Sequence, residues 1–94
     1  IHSRSTEGHN QDQVSMGTHA ARDLVDVTDL AETVAAIHLL AVGQAVDLRG
    51  EPIAEGTRAL RDAVRKVSAP VQVDRPLDTD ILRVRDEVLR ELAP

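Results

Sequence analysis

Residues 18–42 contain neither glycine nor proline, and their apolar positions recur at alternating steps of four and three. Ala20, Leu24, Val27, Ala31, Val34, His38, Ala41, Ala45 and Leu48 fall on one line, which is the spacing of a helix face. Thr18 is placed to cap that helix, and Asp23 sits early enough to favour its positive end. About 30 helical residues at 1.5 Å each span roughly 45 Å, longer than a small domain is wide. The first half is amphipathic, with Arg22, Asp23, Asp26, Asp29 and Glu32 on other faces. The second half, V-A-A-I-H-L-L-A-V, is apolar nearly all round and predicts burial on every side, with His38 a buried neutral histidine.

The rest of the chain is too small to provide that cover. Gly50 and Pro52 end the long helix, and a second helix is expected over 55–67 with Leu60, Ala63, Val64 and Val67 as its stripe. Residues 71–77 read as an extended linker, because Pro76 restricts Arg75. A third helix is expected from Asp78 or Thr79 to about Leu92, with Ile81, Val84, Val88 and Leu92 facing inward. Two short helices cannot wrap a 45 Å helix. With no Phe, Tyr or Trp in 94 residues, Val, Leu, Ile and Ala must do all the packing. The chain also begins at Ile1 rather than Met, so it reads as one piece of a larger assembly.

Charge and composition exclude several functions. A net charge of −5 with scattered arginines offers no stripe for a nucleic-acid backbone or an anionic membrane. The absence of aromatics removes any base-stacking platform. Zero cysteines exclude disulfides, thiolate catalysis and Cys-based metal sites. His2, His9 and His19 lack the local spacing of a metal site, so no metal is expected. Ser15 has no nucleophile elbow around it, and the charges from Arg83 to Glu91 read as a solvated helix face. The run Val34–Val46 is too short to span a bilayer, and no signal peptide is visible.

Ahead of the helix lies T-E-G-H-N-Q-D-Q-V-S-M-G-T. Residues 1–17 show no apolar period and are expected as loop. One reading of Glu7 to Gln13 is a polar tail that lacks the apolar residues to fold. The other rests on Asn10 and Gln11, two primary amides beside carboxylates. Amides both donate and accept hydrogen bonds, which suits the orientation of a zwitterionic ligand.

The order of these residues resembles a known family. S-T-E-G-H-N-Q-D-Q-V-S-M-G-T, then H-A-A-R-D, then A-I-H-L-L-A-V-G-Q-A-V-D-L-R-G is similar to the C-terminal part of the aromatic amino acid ammonia-lyases and 2,3-aminomutases. These enzymes use a 4-methylideneimidazol-5-one (MIO) group. The tail D-R-P-L-D-T-D-I looks like the end of bacterial members. The resemblance implies a mainly α fold of the ammonia-lyase/fumarase-like long-helix bundle type. In it, residues 1–17 would be an active-site loop, 18–49 a long bundle helix and 50–94 a C-terminal helical segment. It further implies a cytoplasmic homotetramer with active sites built from more than one subunit.

The resemblance also implies roles for single residues. Glu7 matches the carboxylate that meets the substrate amine, and Asn10 and Gln11 match the pair beside the MIO group and the substrate. His9 and Asp12 would hold the segment from behind. Histidine ammonia-lyases usually carry Glu where this chain has Gln11, so tyrosine or phenylalanine is the expected substrate. Two departures bear on activity. MIO forms from Ala-Ser-Gly, which is absent here, and the family's tyrosine base is absent too. The chain alone is therefore expected to be inactive and to need a larger chain of the same enzyme. A different class of reading, a non-catalytic helical module docking a partner through the apolar helix, stays open on the residues alone.

Overall fold

The computed structural model describes residues 9–92, and side chains from residue 16 onward. It is mainly helical, with no strand among the described residues. Helix α1 runs His9–Arg49, 41 residues; α2 is Glu55–Arg65; α3 is Asp78–Arg83. Past α3 the same helix widens to a π-helical stretch at Val84–Leu89 and ends as the short α4, Arg90–Leu92. One long helix followed by shorter C-terminal ones is the architecture that the periodicity predicts.

The chain forms two compact units, Ile1–Ala31 and Glu32–Pro94. The described part of the first unit is residues 9–31 of α1. Residues 9–17 are helical where a loop is expected, so the helix does not start at Thr18. No proline interrupts them. Gly17 has open space around its Cα, so it costs the helix only its propensity deficit of about 1 kcal/mol. In this unit Leu24, Val25, Val27 and Leu30 are all more than half exposed. Thr28 bonds back to the Leu24 carbonyl at 2.7 Å, the local contact that lets a hydroxyl residue sit inside a helix.

The second unit holds the core. Ala36 of α1, Val64 of α2, and Val84 and Val88 of the π-helical stretch are buried together. Leu39, Leu40, Leu60, Ala63, Val67, Ile81 and Leu89 pack around them. The stripe of α2 is the one expected. The C-terminal stripe differs at its end: Leu89 packs on the core and Leu92 is 61% exposed. The cause is the wider turn, which admits an extra residue; the Arg90 N–H bonds to the Arg85 carbonyl, five residues back. Leu89, inside that stretch, packs on the core, and Leu92, beyond it, lies outward.

The larger correction concerns which face of α1 is covered. The chain's own helices pack on Ala36, Leu39, Leu40 and Gly43. In this unit the expected face, Val34, His38, Ala41, Ala45 and Leu48, points outward, with Val34 64% and Leu48 79% exposed. His38 is exposed, not buried. A helix that is apolar all round has two faces to bury, and α2 and the C-terminal helix reach only one.

The end of α1 is set by Gly50, whose φ of +77° is the left-handed conformation of a helix C-cap. Its N–H bonds to the Val46 carbonyl at 3.0 Å. Glu51 then holds the turn into α2, accepting from the Ile53 N–H at 3.2 Å and from Arg58 at 2.8 Å.

Candidate active-site segment and polar fasteners

His9, Asn10, Gln11 and Asp12 are consecutive residues of α1. Glu7, the fifth expected site residue, lies outside the described residues.

At the other end of α1 the block Q-A-V-D-L-R proves to be structural. The Gln44 side chain mimics a backbone partner for the linker: its Nε2 donates to the Val71 carbonyl and its Oε1 accepts from the Val71 N–H, both at 3.0 Å. One amide satisfies both backbone groups of a half-buried residue, which would otherwise cost free energy as unpaired polar atoms.

Asp47, one turn on, holds α2. Its Oδ2 accepts from Arg65 Nε at 2.7 Å, and Arg65 Nη2 lies 2.6 Å from the same oxygen. Nη2 is buried and makes no hydrogen bond of its own, so the short approach is an ion-pair contact off the hydrogen-bond line. Arg65 Nη1 donates to the Ser68 carbonyl at 3.1 Å. Arg61 approaches the other Asp47 oxygen at 3.7 Å.

A second clasp was not foreseen in the sequence. Ser68, buried at the end of α2, donates to Asp80 Oδ2 at 2.6 Å, and Arg75 donates to the same oxygen at 2.9 Å. The other arm of Arg75 donates to the Ala69 carbonyl at 2.8 Å. The Ser68 hydroxyl first, then the Arg75 guanidinium, hold the Asp80 carboxyl below its ordinary value of 3.8, with Arg83 adding to the effect. The signal that was available is the D-R-P-L-D-T-D run itself. An arginine locked in extended geometry by Pro76 is well placed to reach back to a helix-start aspartate.

Between the linker, α1 and α3 lies an almost wholly apolar cavity of about 260 Å³. Its walls include Ile37, Leu40, Ala41, Val71, Leu77 and Ile81. Gln44, Arg65 and Ser68 border it too, but their bonds run to Val71, Asp47 and Asp80. Among the described residues no group of three His, Asp or Glu is placed to hold a metal ion. No described helix is long and apolar enough to cross a membrane.

Comparison with known proteins gives this geometry a context. Residues 1–66 match the aromatic amino acid lyase family. The chain is 40% identical over 93 residues to histidine ammonia-lyase of Symbiobacterium thermophilum, covering 98% of the chain and 17% of that protein. It is 35% identical over 95 residues to tyrosine ammonia-lyase of Cereibacter sphaeroides, covering 97% and 18%. Against histidine ammonia-lyase of Deinococcus radiodurans it is 34% identical over 89 residues, 95% of the chain and 17% of the relative. The chain therefore spans less than a fifth of the length of the relatives it matches. No solved structure gives a significant match.

Proposed function

The chain belongs to the aromatic amino acid lyase family, and on that premise we propose that it forms the C-terminal part of a MIO-dependent ammonia-lyase or 2,3-aminomutase acting on tyrosine or phenylalanine. The observation that carries this reading is the family match over residues 1–66, which includes both the E-x-H-N-Q-D block and the Q-A-V-D-L-R block in one frame. The second block fastens the chain together through Gln44 and Asp47.

The chain contains no Ala-Ser-Gly and no tyrosine, so it cannot make the MIO group or supply a phenolic base. When bound, that group supplies an electrophile for the substrate amine. Within this chain, Glu7 would stabilise the substrate ammonium as a carboxylate, or take its proton. Asn10 and Gln11 would orient the carboxylate and amine by hydrogen bonds, and His9 and Asp12 would hold them.

Substrate choice turns on Gln11. The relatives include histidine enzymes as well as a tyrosine enzyme. A neutral amide at this position suits an uncharged ring, whereas the Glu usual in histidine enzymes suits an imidazole, which can carry a proton.

The outward faces of α1 support a partner. In the second unit Val34, His38, Ala41, Ala45 and Leu48, and in the first Ala20, Leu24, Val27 and Ala31, keep the four-three spacing by which one long helix packs on another at a shallow angle. A larger chain of the same enzyme, in a tetramer, is the partner that fits. The non-catalytic docking module accounts for these faces equally well but not for the family match.

The test is activity of this chain assembled with the remainder of a family enzyme. Glu7→Ala and Gln11→Ala are expected to lower kcat by roughly 10²-fold or more, the scale of a lost catalytic or positioning group. Gln11→Glu is expected to raise kcat/KM for histidine relative to tyrosine. Unchanged turnover in both alanine variants would remove the site assignment; an unchanged histidine-to-tyrosine ratio would remove the substrate assignment.

A further inference from the structure

The stretch between α2 and α3 is held differently from the rest of the second unit. Its two ends are tied to the helices through the backbone. The Ser68 N–H bonds to the Val64 carbonyl at 3.0 Å, and the Leu77 carbonyl accepts from the Ile81 N–H at 2.9 Å. Between these anchors, residues 69–76 take no part in the core cluster, and all but the half-buried Val71 are exposed. Two polar clasps hold them instead. One is the Gln44 amide of α1, bonded to both backbone groups of Val71. The other is the Asp80 carboxylate of α3, whose Oδ2 accepts from Arg75 at 2.9 Å. Ser68, buried and outside the strap, donates to the same oxygen at 2.6 Å and holds it where Arg75 meets it. We infer that residues 69–76 form a latched strap, which swings open as one body while the helices beneath stay packed, with Asp80 as its latch.

The resistance of a segment to local opening follows from what it buries. The helices bury Ala36, Val64, Val84 and Val88 among themselves, and the strap adds nothing to that cluster. Opening therefore keeps the core and gives up a few hydrogen bonds, each exchanged for a bond to water. Movement as one body follows from the strap's own stiffness. Arg75, near its end, donates to the Ala69 carbonyl at its start, at 2.8 Å. Pro70 and Pro76 fix their own φ and restrict Ala69 and Arg75 before them. The two clasps share no atom, yet release of Arg75 from Asp80 loosens Val71 on Gln44. Val71 also walls the apolar cavity beside Ile37, Leu40 and Ala41, so opening uncovers the cavity from the strap side. None of this depends on the family reading.

The coupling between the clasps is what the experiment reads. Hydrogen exchange followed by mass spectrometry would be measured on material purified through this chain. Peptides covering the strap would be compared with peptides of α2 that contain Val64. The Val71 N–H is bonded to Gln44, so protection of the strap peptide reports on that bond. Arg75→Gln alters an exposed side chain whose bonds go to Asp80 and Ala69, not to Gln44 or Val71. Asp80→Asn removes the latch itself. Each is expected to speed Val71 exchange several-fold, up to about tenfold, the scale of one lost hydrogen bond, with the Val64 peptide unchanged. Arg58→Gln breaks an exposed ion pair with Glu51 outside the strap and is expected to leave both peptides unchanged. Unaltered Val71 exchange in Arg75→Gln would show that the clasps act separately and would overturn the proposal. So would equal acceleration of the strap and Val64 peptides, or Val71 exchange in the unsubstituted chain as slow as that of Val64, since the strap would then open only with the helices. Should Asp80→Asn lose the fold, the Arg75→Gln result decides.

Discussion

At the scale of single residues, Gln44 shows how a motif can look functional and be architectural. Its amide holds both backbone groups of Val71. Gln44→Leu keeps the bulk and removes both bonds, and should cost about 1–3 kcal/mol because a half-buried N–H and C=O lose their partners. Thermal unfolding and faster exchange of the Val71 amide would register it. The two glycines near the end of α1 should respond with opposite signs. A Cβ on Gly43 meets Val64 and Arg65 at ordinary contact distances of 3.9 and 3.7 Å, so Gly43→Ala should stabilise by roughly 0.5–1 kcal/mol through helix propensity. Gly50→Ala should destabilise by about 1 kcal/mol or more, because φ is +77° there. Denaturant midpoints of the two variants should move apart.

Asp80 adds a pH dependence whose direction is fixed. Its folded carboxyl titrates below 3.8, so its contribution is present above that value and is lost as the pH falls through the folded value. Asp80→Asn should therefore flatten the acid limb of stability and leave the neutral range with a constant loss of the Ser68 and Arg75 bonds. An acid limb of undiminished slope in the variant would show that other carboxylates govern it.

At the scale of elements, the existence of the long helix, the second helix and the C-terminal helix was legible because each rests on spacing, and spacing is a property of the sequence. What the spacing did not carry is which side of α1 faces inward. The four-three row from Ala20 to Leu48 is the more regular one, yet Ala36, Leu39, Leu40 and Gly43 form the inner face. Ala36, Leu39, Leu40 and Gly43 stand at i, i+3, i+4 and i+7, so both faces carry helical spacing and spacing alone does not choose between them. His38 was misread for the same reason, since its burial was inferred from its neighbours without knowing which of them were covered. Residues 9–17 were expected as loop for want of an apolar period, yet they are helical, with Gly17 a tolerated interior glycine. The π-helical turn was not foreseen, because the spacing Ile81, Val84, Val88, Leu92 is also that of a plain α-helix. Its packing can be measured. Val84→Ala and Val88→Ala remove buried methyls on that turn and should each cost about 1–3 kcal/mol in urea unfolding, whereas Leu92→Ala, on an exposed position, should cost less than about 0.5 kcal/mol. Equal losses at Leu92 and Val88 would mean that the register continues as a plain α-helix.

At the scale of the whole molecule, the small core and the exposed apolar row describe the same situation from two sides. Among the described residues the second unit buries four hydrophobic side chains, none larger than valine, and leaves Val34, Ile37, Val42, Leu48 and Leu82 at least two-fifths exposed. Exposed apolar surface in that quantity is normally an interface. The E-x-H-N-Q-D block was legible as a candidate site only through its order and its link to the second block. The chemistry proposed for it depends on groups this chain does not contain. The measurement that bears most directly on the central claim is native mass spectrometry of material purified through this chain, with denaturing mass analysis of every polypeptide in it. A complex of tetrameric size that contains a larger chain whose sequence carries Ala-Ser-Gly is the expected result. A cooperatively folded monomer of 94 residues with no partner would contradict the account.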